Sequence, residues 1–306
     1  MTDTKLNGLV TRLQAGFYTV QVDDREITCR LRGRHKKNRL NEDIVAVGDR
    51  VEIHLLKDGS GVIEEIQPRE KIFFRMAPSA RGDYKQILLA NPDQVMLVFS
   101  CADPEPSLRM LDRFLVITEK QDIPVVIVAN KVDIVGIRAA RKLFAEYPQI
   151  GYEILFTSAK KKRNIDKLKK CLTGKISALS GPSGVGKSSL LNQVQPNLGL
   201  SIGRLKKTSS KKGRHTTVVR QLFPLDEGGF VADMPGLRSL SLWDTEPEEL
   251  DGYFPEIRGL VADCRFNDCS HINEPDCAVK QAVEDGKISP QRYDSYVRLR
   301  LGDDDY

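Results

Sequence analysis

Apolar and polar positions along the chain change rhythm twice. Between residues 16 and 66 short alternating runs recur, at 16–22, 26–31, 44–56 broken by Gly48-Asp49, and 61–66, with Gly and Asp between them. Short strands, tight turns and no stretch long enough for a crossover helix predict a small OB-type barrel of five strands. From about residue 72 the texture becomes apolar runs alternating with helical spacing. The runs 95–100, 125–129, 154–156, 176–179 and 230–232 read as strands buried on both faces, and 108–121, 138–147, 165–172 and 188–194 read as helices. That alternation predicts a mostly parallel sheet with helices on both faces, whose ligands bind at the carboxyl ends of its strands. Beyond about residue 243 hydrophobic density falls, as in a small helical module that needs a staple to stay folded. The expected architecture is a multidomain α/β protein with a barrel in residues 1–72, the sheet domain in 73–243 and the helical module in 244–306.

Composition narrows the classes without choosing among them. With 306 residues, 40% hydrophobic and 29% charged, the chain is neither disordered nor collagen-like nor a disulfide miniprotein. No apolar run approaches the roughly 18 residues that span a bilayer, and no cationic-then-apolar leader opens the sequence. A cytoplasmic protein without a membrane partner, acting as a monomer, is the expectation. Of six cysteines, Cys29, Cys101 and Cys171 fall in strand-like or helix-like runs and read as buried hydrophobes. The other three crowd around His271.

Chemistry begins at Gly181-Pro182-Ser183-Gly184-Val185-Gly186-Lys187-Ser188, with Ser189 next, between a strand-like and a helix-like run. This G-x-x-x-x-G-K-[ST] spacing is that of a phosphate-binding loop. Its glycines turn backbone N–H groups inward, Lys187 reaches the β/γ oxygens, Ser188 ligates Mg²⁺ and the helix N-terminus adds its positive end. The base is chosen elsewhere. Asn130-Lys131-Val132-Asp133 closes the strand 125–129. The Asp133 carboxylate would accept from guanine N1–H and the 2-amino group, and adenine would leave it unpaired. Asn130 would tie this loop to the phosphate loop, and the Lys131 stem would cover the base. Ser158, Ala159 and Lys160 form the short loop whose backbone could meet the guanine oxygen.

Asp233-Met234-Pro235-Gly236 ends the strand 230–232, where Asp233 could hold Mg²⁺ through water and the Gly236 N–H could sense the γ-phosphate. Thr216 and Thr217 lie in the basic, Gly-punctuated stretch 203–220, a candidate switch loop; Thr217 is favoured over Thr216 as the Mg²⁺ ligand. In Ras-like order the phosphate loop comes first. Here the N-K-x-D and S-A-K loops precede it, so the sheet domain reads as a circularly permuted P-loop GTPase. Rotation sends the chain from D-x-x-G straight into the C-terminal module, so a nucleotide-dependent movement there would reach that module. Cys264-x₄-Cys269-x-His271-x₅-Cys277 supplies three thiolates and one imidazole, enough to close one structural tetrahedral Zn²⁺ site.

Barrel, permuted N-K-x-D, S-A-K, G-P-S-G-V-G-K-S, G-R-H-T-T, D-x-P-G and the C-x₄-C-x-H-x₅-C cluster together make nearly the whole chain resemble the ribosome small-subunit-dependent GTPase A (RsgA) family. The resemblance implies an OB domain, a permuted GTPase domain and a zinc-binding C-terminal domain. It also implies weak intrinsic hydrolysis of GTP to GDP, stimulation by the 30S subunit with its 16S rRNA, and a role in late small-subunit maturation. Leu237 stands where Ras-type enzymes place a water-orienting Gln, and the family's substitute maps onto His215. An RNA-facing role for His215 stays equally open. So does an rRNA-binding assembly protein that uses GTP only as a conformational ligand.

Net charge is only +5, but Arg30, Arg32, Arg34, Lys36, Lys37 and Arg39 gather in one barrel region. Lys206, Lys207, Lys211, Lys212 and Arg214 gather in the switch loop. Both favour RNA. Phe17 and Tyr18 could stack on bases, with one of the two expected in the core. The run 160–163, taken alone, reads as a solvated face.

Overall fold

In the first strands, alternation of inward and outward side chains closes a sheet on itself. The computed structural model describes residues 5–33, 42–79, 82–198, 220–234 and 245–303. Strands β1 (Lys5–Gln14), β2 (Phe17–Val22), β3 (Arg25–Leu31), β4 (Arg50–Leu55) and β5 (Gly61–Ile66) pair in the order β1-β2-β3-β5-β4, and β4 returns to β1. Only β3 and β5 run parallel, the OB arrangement. Val10, Val20, Cys29, Val51, Ile53 and Ile63 are fully buried inside. Tyr18 packs against this core and Phe17 stays 42% exposed, with the Arg30 guanidinium 4.9 Å from its ring centroid.

Two details depart from the pattern-based expectation. Strand β1 is absent from the predicted set because it does not alternate cleanly: Leu9 and Leu13 also pack against the neighbouring domain, so both of its faces are partly apolar. Residues 44–47, expected in a strand, form an irregular segment. A buried carboxylate holds it: Asp49 accepts from the Ala46 N–H at 2.7 Å and from Arg69 Nε at 2.7 Å and Nη2 at 2.9 Å.

A hairpin of β6 (Ile72–Ser79) and β7 (Gly82–Ala90) leads from the barrel to the second domain. There β8 (Gln94–Ser100), β9 (Val125–Asn130), β10 (Glu153–Phe156) and β11 (Ile176–Ser180) precede three later strands, β12 (Arg220–Gln221), β13 (Phe223–Pro224) and β14 (Phe230–Asp233). The sheet order is β10-β9-β8-β11-β14-β13, parallel except for β13. Helices α1 (Leu108–Lys120), α2 (Val132–Val135), α3 (Ile137–Leu143) and α4 (Glu146–Gln149) come before α5 (Ile165–Leu172) and α6 (Lys187–Val194). The first group covers one face through Leu111, Phe114, Ala140, Phe144 and Tyr147. Helices α5 and α6 cover the other through Ile165, Leu168, Leu190 and Leu191. The single helix expected over 138–147 is split into α3 and α4. Pro148 has no N–H to offer the Phe144 carbonyl, so a continuous helix would lack a bond there. Strand β12 does not join this sheet; it pairs with barrel strand β1, Arg12 opposite Gln221 and Leu13 opposite Arg220.

The C-terminal module consists of a 3-10 turn at Pro247–Tyr253, α7 (Pro255–Arg258), α8 (Ala278–Glu284) and α9 (Pro290–Arg300). Its core includes Val116 of α1, so α1 is buried on two sides, against the sheet and against the module. At this junction Arg292 of α9, 2% exposed, donates to Asp112 of α1 at 2.6 Å and to both Glu256 oxygens at 2.7 and 3.2 Å. Tyr147 and Ser295 complete the Asp112 carboxylate at 2.9 and 2.5 Å, and the guanidinium lies 4.6 Å from the Phe254 ring centroid. Removing one partner of a buried pair leaves an uncompensated charge, which costs about 3–5 kcal/mol. Arg292→Ala is therefore expected to lower the unfolding free energy by about that amount. Chemical denaturation checks this, and a change under about 1 kcal/mol would contradict the burial argument.

Candidate nucleotide site and metal centre

Strand β11 ends at Ser180, and α6 begins at Lys187, so residues 181–186 turn the chain between a buried strand and a helix N-terminus. Two glycines make the turn possible. Gly181 has φ +142°, and a Cβ there would sit 2.1 Å from the Val98 carbonyl oxygen. Gly186 has φ +99°, and its Cβ would sit 2.5 Å from Asn130 Nδ2. Val185 is buried, Pro182 is half-buried, and Ser183 and Gly184 are exposed at the rim. Ser188 and Ser189 lie half-buried in the first turn of α6. Lys187 folds back over the loop, its ammonium donating to the carbonyls of Gly181 at 2.7 Å and Pro182 at 2.9 Å. Burial lowers its pKa, and nearby Asp233 works against that.

The loop after β9 meets this turn. Asn130, 1% exposed, donates from Nδ2 to the Val185 carbonyl at 2.8 Å. Its Oδ1 accepts from Thr157 Oγ1 and the Ala159 N–H, both at 3.3 Å. One side chain thus joins three loops. Lys131 adopts φ +63°, and its ammonium bonds the Asp103 carbonyl. Exposed Asp133 accepts from Ser158 Oγ at 2.5 Å, and Lys160 is exposed. A fourth loop, which no motif in the sequence marks, follows β8: Ser100 Oγ donates to the Pro104 carbonyl at 2.6 Å, and Cys101 N–H to the Asn130 carbonyl at 2.8 Å. Its one signal in the sequence is the turn-forming string Asp103-Pro104-Glu105-Pro106.

Asp233 ends β14 beside Lys187 and Ser188 of the phosphate loop. Burial raises its pKa, opposed by Lys187 and by the Ser188 hydroxyl, and its Oδ1 is buried without a hydrogen-bond partner. A buried carboxylate oxygen lacking a donor, beside a hydroxyl and an ammonium, suits a cation carried by a polyphosphate. His215, Thr216, Thr217, Gly236 and Leu237 lie outside the described residues, as do Arg34, Lys36, Lys37, Arg39 and the switch-loop cations.

Cys264, Cys269, His271 and Cys277 converge, with one ligand atom from each lying within 4.8 Å of the others. Cys264 Sγ is 3.9 Å from Cys277 Sγ, and the two sulfurs are 3.5 and 3.4 Å from His271 Nδ1. A tetrahedral ion with metal–sulfur bonds of about 2.3 Å and a metal–nitrogen bond of about 2.0 Å requires edges of about 3.8 and 3.5 Å. The donor set fits such an ion. His271, at φ +62°, is held from both sides: Tyr293 Oη donates to its carbonyl at 2.6 Å, and buried Nε2 faces Asp251 Oδ2 at 3.5 Å. A carboxylate behind the ring selects the tautomer that points Nδ1 at a metal. The Glu274 carboxylate accepts from the N–H groups of Ser270, Ile272 and Asn273 at 2.8–3.1 Å. The Ser270 side chain first, and then the backbone N–H groups of Ser270 and Ile272, hold its pKa down at about 2. The ligand spacing identified the four donors; Asp251 and Glu274 carry no spacing signature.

An open sheet whose base loop precedes its phosphate loop in the chain, joined in space at the carboxyl ends of the strands, defines a circularly permuted P-loop GTPase. The RsgA GTPase family model matches residues 66–243, and the RsgA N-terminal domain model matches residues 7–63. Among curated relatives, "Small ribosomal subunit biogenesis GTPase RsgA" of Gemmatimonas aurantiaca is 43% identical, covering 97% of each chain. The protein of that name from Moorella thermoacetica is 44% identical, covering 95% of each. The crystal structure of YjeQ from Thermotoga maritima superposes with a TM-score of 0.80 at 38% identity, covering 98% of each chain. YloQ, described as a circularly permuted GTPase, gives 0.75 at 34% identity, covering 98% of this chain and 95% of its own. The chain belongs to the RsgA GTPase family.

The protein as purified is expected to hold one tetrahedral metal ion per chain at the Cys/His centre, with Cys269→Ser or strong chelation selectively loosening the C-terminal module. Hydrogen exchange checks this: α8 and α9 should lose protection while β8, β9 and β11 keep theirs. Equal protection with and without metal would refute a structural ion.

Proposed function

We propose that the chain binds GTP with Mg²⁺ across the joined loops and hydrolyses it to GDP and phosphate while working on the small ribosomal subunit. The observation that carries the reading is the 2.8 Å bond from Asn130 Nδ2 to the Val185 carbonyl. It fixes the distance between a loop suited to guanine and a loop suited to phosphates. In this site Gly181, Pro182, Ser183, Gly184, Val185 and Gly186 wrap the phosphates with the N–H groups they carry. Lys187 leaves the Gly181 and Pro182 carbonyls for the β/γ oxygens, and Ser188, Ser189 and Asp233 stand at the metal side, with Gly236 near the γ-phosphate. Asp133, steadied by Ser158, reads the guanine edge; Ala159 and Lys160 approach its oxygen, and Lys131 lies over its face. Mg²⁺, when bound, offsets charge on the phosphate oxygens. Thr217 is assigned to it over Thr216. His215 is assigned the task of orienting the attacking water, in place of the glutamine that Leu237 replaces.

The partner assignment comes from the relatives' names and the barrel. Both curated relatives are named for small-subunit biogenesis. The RNA-suited scaffold carries Arg30 and Arg32 beside the basic stretch 34–39. The proposed sites are the 30S subunit and its 16S rRNA, in the cytoplasm, with a monomer as the working form, Zn²⁺ in the Cys/His centre, and the nucleotide state timing binding and release. Leu237 favours one second reading, in which GTP is only a conformational ligand.

Asp133→Asn is expected to move preference from guanosine to xanthosine nucleotides, since an amide complements the xanthine edge. Competition binding that still favours guanosine would overturn the assignment. Lys187→Ala should weaken nucleotide binding by roughly 10- to 150-fold, the worth of a charge-assisted hydrogen bond. Phosphate release measured with and without 30S subunits separates enzyme from conformational ligand. Stimulation supports the first, and its loss by about 100-fold in His215→Ala with GTP binding intact supports the role of that histidine.

A further inference from the structure

The run 160–163 passes for an ordinary solvated face in the sequence, and the fold changes that. Residues 131–170 carry eleven Lys and Arg against four Asp and Glu, a net +7, although the whole chain nets only +5. All forty lie among the described residues. Strand β10 is the outer edge of the sheet, with α3 on one face and α5 on the other. Arg138, Arg141 and Lys142 are exposed on α3. Lys167 and Lys170, three apart, share one side of α5, Arg163 precedes the helix, and all three are exposed. The 160–163 turn, pinned by the bridge between Ser158 and Arg163, stands at the end of β10 between the two rows. None of these side chains has an ion-pair partner among the described residues; Lys169, which does, pairs with Glu227 at 2.8 Å.

We infer that this basic lobe is a second RNA-contacting surface, which takes the sugar-phosphate backbone of structured RNA without reading its sequence. The chemistry is that of a polyanion site. Long cationic side chains stand unpaired on two sides of a ridge, and no aromatic side chain of the lobe is exposed to stack on a base. The only large exposed apolar residues there, Ile134 and Val135, are too few to insert into a membrane. The lobe occupies the β10 edge, and the barrel joins through β12 beyond the opposite side of the sheet. An RNA held at both ends would therefore span the nucleotide loops between them. The inference rests on the small-subunit reading for which RNA is bound, and on the charge alone for the class of ligand.

The test is the combined variant Arg141→Gln, Lys162→Gln, Lys167→Gln and Lys170→Gln, all side chains outside the proposed nucleotide contacts. Binding to 30S subunits is measured from roughly 50 to 300 mM salt with a GTP analogue bound. At roughly 150 mM salt the variant should bind at least about tenfold more weakly, and its log–log salt slope should be shallower by about 2 to 4, close to one for each phosphate that the variant leaves without a cation. Affinity for the GTP analogue should be unchanged. Equal affinity and slope for wild type and variant would overturn the lobe and leave the nucleotide assignment standing. If the wild type ignores 30S subunits, the small-subunit reading falls, and a plain RNA duplex decides the lobe by the same change of slope. A variant that loses binding to anionic vesicles or polyglutamate and keeps its RNA affinity would also overturn it.

Discussion

The site depends on one amide. Asn130 lies 55 residues before Val185, on a different strand, yet its Nδ2 bonds the Val185 carbonyl while its Oδ1 gathers Thr157 and Ala159. Loops are the least restrained parts of an open sheet, and a ligand that touches several of them needs their separations held before it arrives. A buried amide bonded through both its nitrogen and its oxygen does this well, because moving any one loop would leave a polar group unpaired in a dry place. The same bond explains Gly186: a Cβ at that position would enter the space the amide occupies. Covalent order matters little to such an arrangement, and so the rotated chain builds the same pocket.

From this centre two routes lead outward. On one side the chain leaves β14 at Asp233 and returns, after residues 235–244, as the turn Pro247–Tyr253. That turn places Leu250 in the module core and Asp251 behind His271, while Glu249 meets Lys120 of α1 at 3.5 Å. On the other side the chain from α6 returns as β12 on the barrel's first strand, and the Leu222 N–H bonds the Thr11 carbonyl at 2.8 Å. The segments that flank the proposed γ-phosphate sensors are thus attached to different domains. If nucleotide state did alter either attachment, linkage would make the attached domain bias nucleotide affinity by the same factor in return.

Much of this was legible in the chain because local rules and the global fold agree. The runs 95–99 and 125–129 are apolar throughout since β8 and β9 are buried on both faces, and the phosphate and metal motifs depend on spacings that few other folds require. What escaped has physical causes. Strand β1 serves two cores and so lacks a clean period. The hairpin β6–β7 lies between the barrel and the sheet, where neither pattern applies. Asp112 and Arg292 are 180 positions apart, so nothing local announces that two charged residues with amphipathic neighbours will be buried together. Asp251 is invisible for the same reason, since a carboxylate that supports a ligand from a distant turn leaves no motif.

Helix α1 shows how the C-terminal module is joined to the sheet domain. An ordinary surface helix buries one stripe and leaves the other wet. Here Leu111, Phe114 and Leu115 face the sheet while Val116 faces the module, and Asp112 faces Arg292. The Asp112–Arg292 contact between the domains is therefore fully desolvated, unlike the rim pairs that water and salt weaken. Buried charges of this kind are poor sources of net stability and tolerate few geometries, because a displaced Arg292 would strand both Asp112 and Glu256. The module is thereby held in register with the helix that follows β8, and β8 lies beside β11, from which the phosphate loop springs. Attachment at this point fixes the module against the helix that follows the strand beside the phosphate loop, so its position is set by the same sheet that carries that loop.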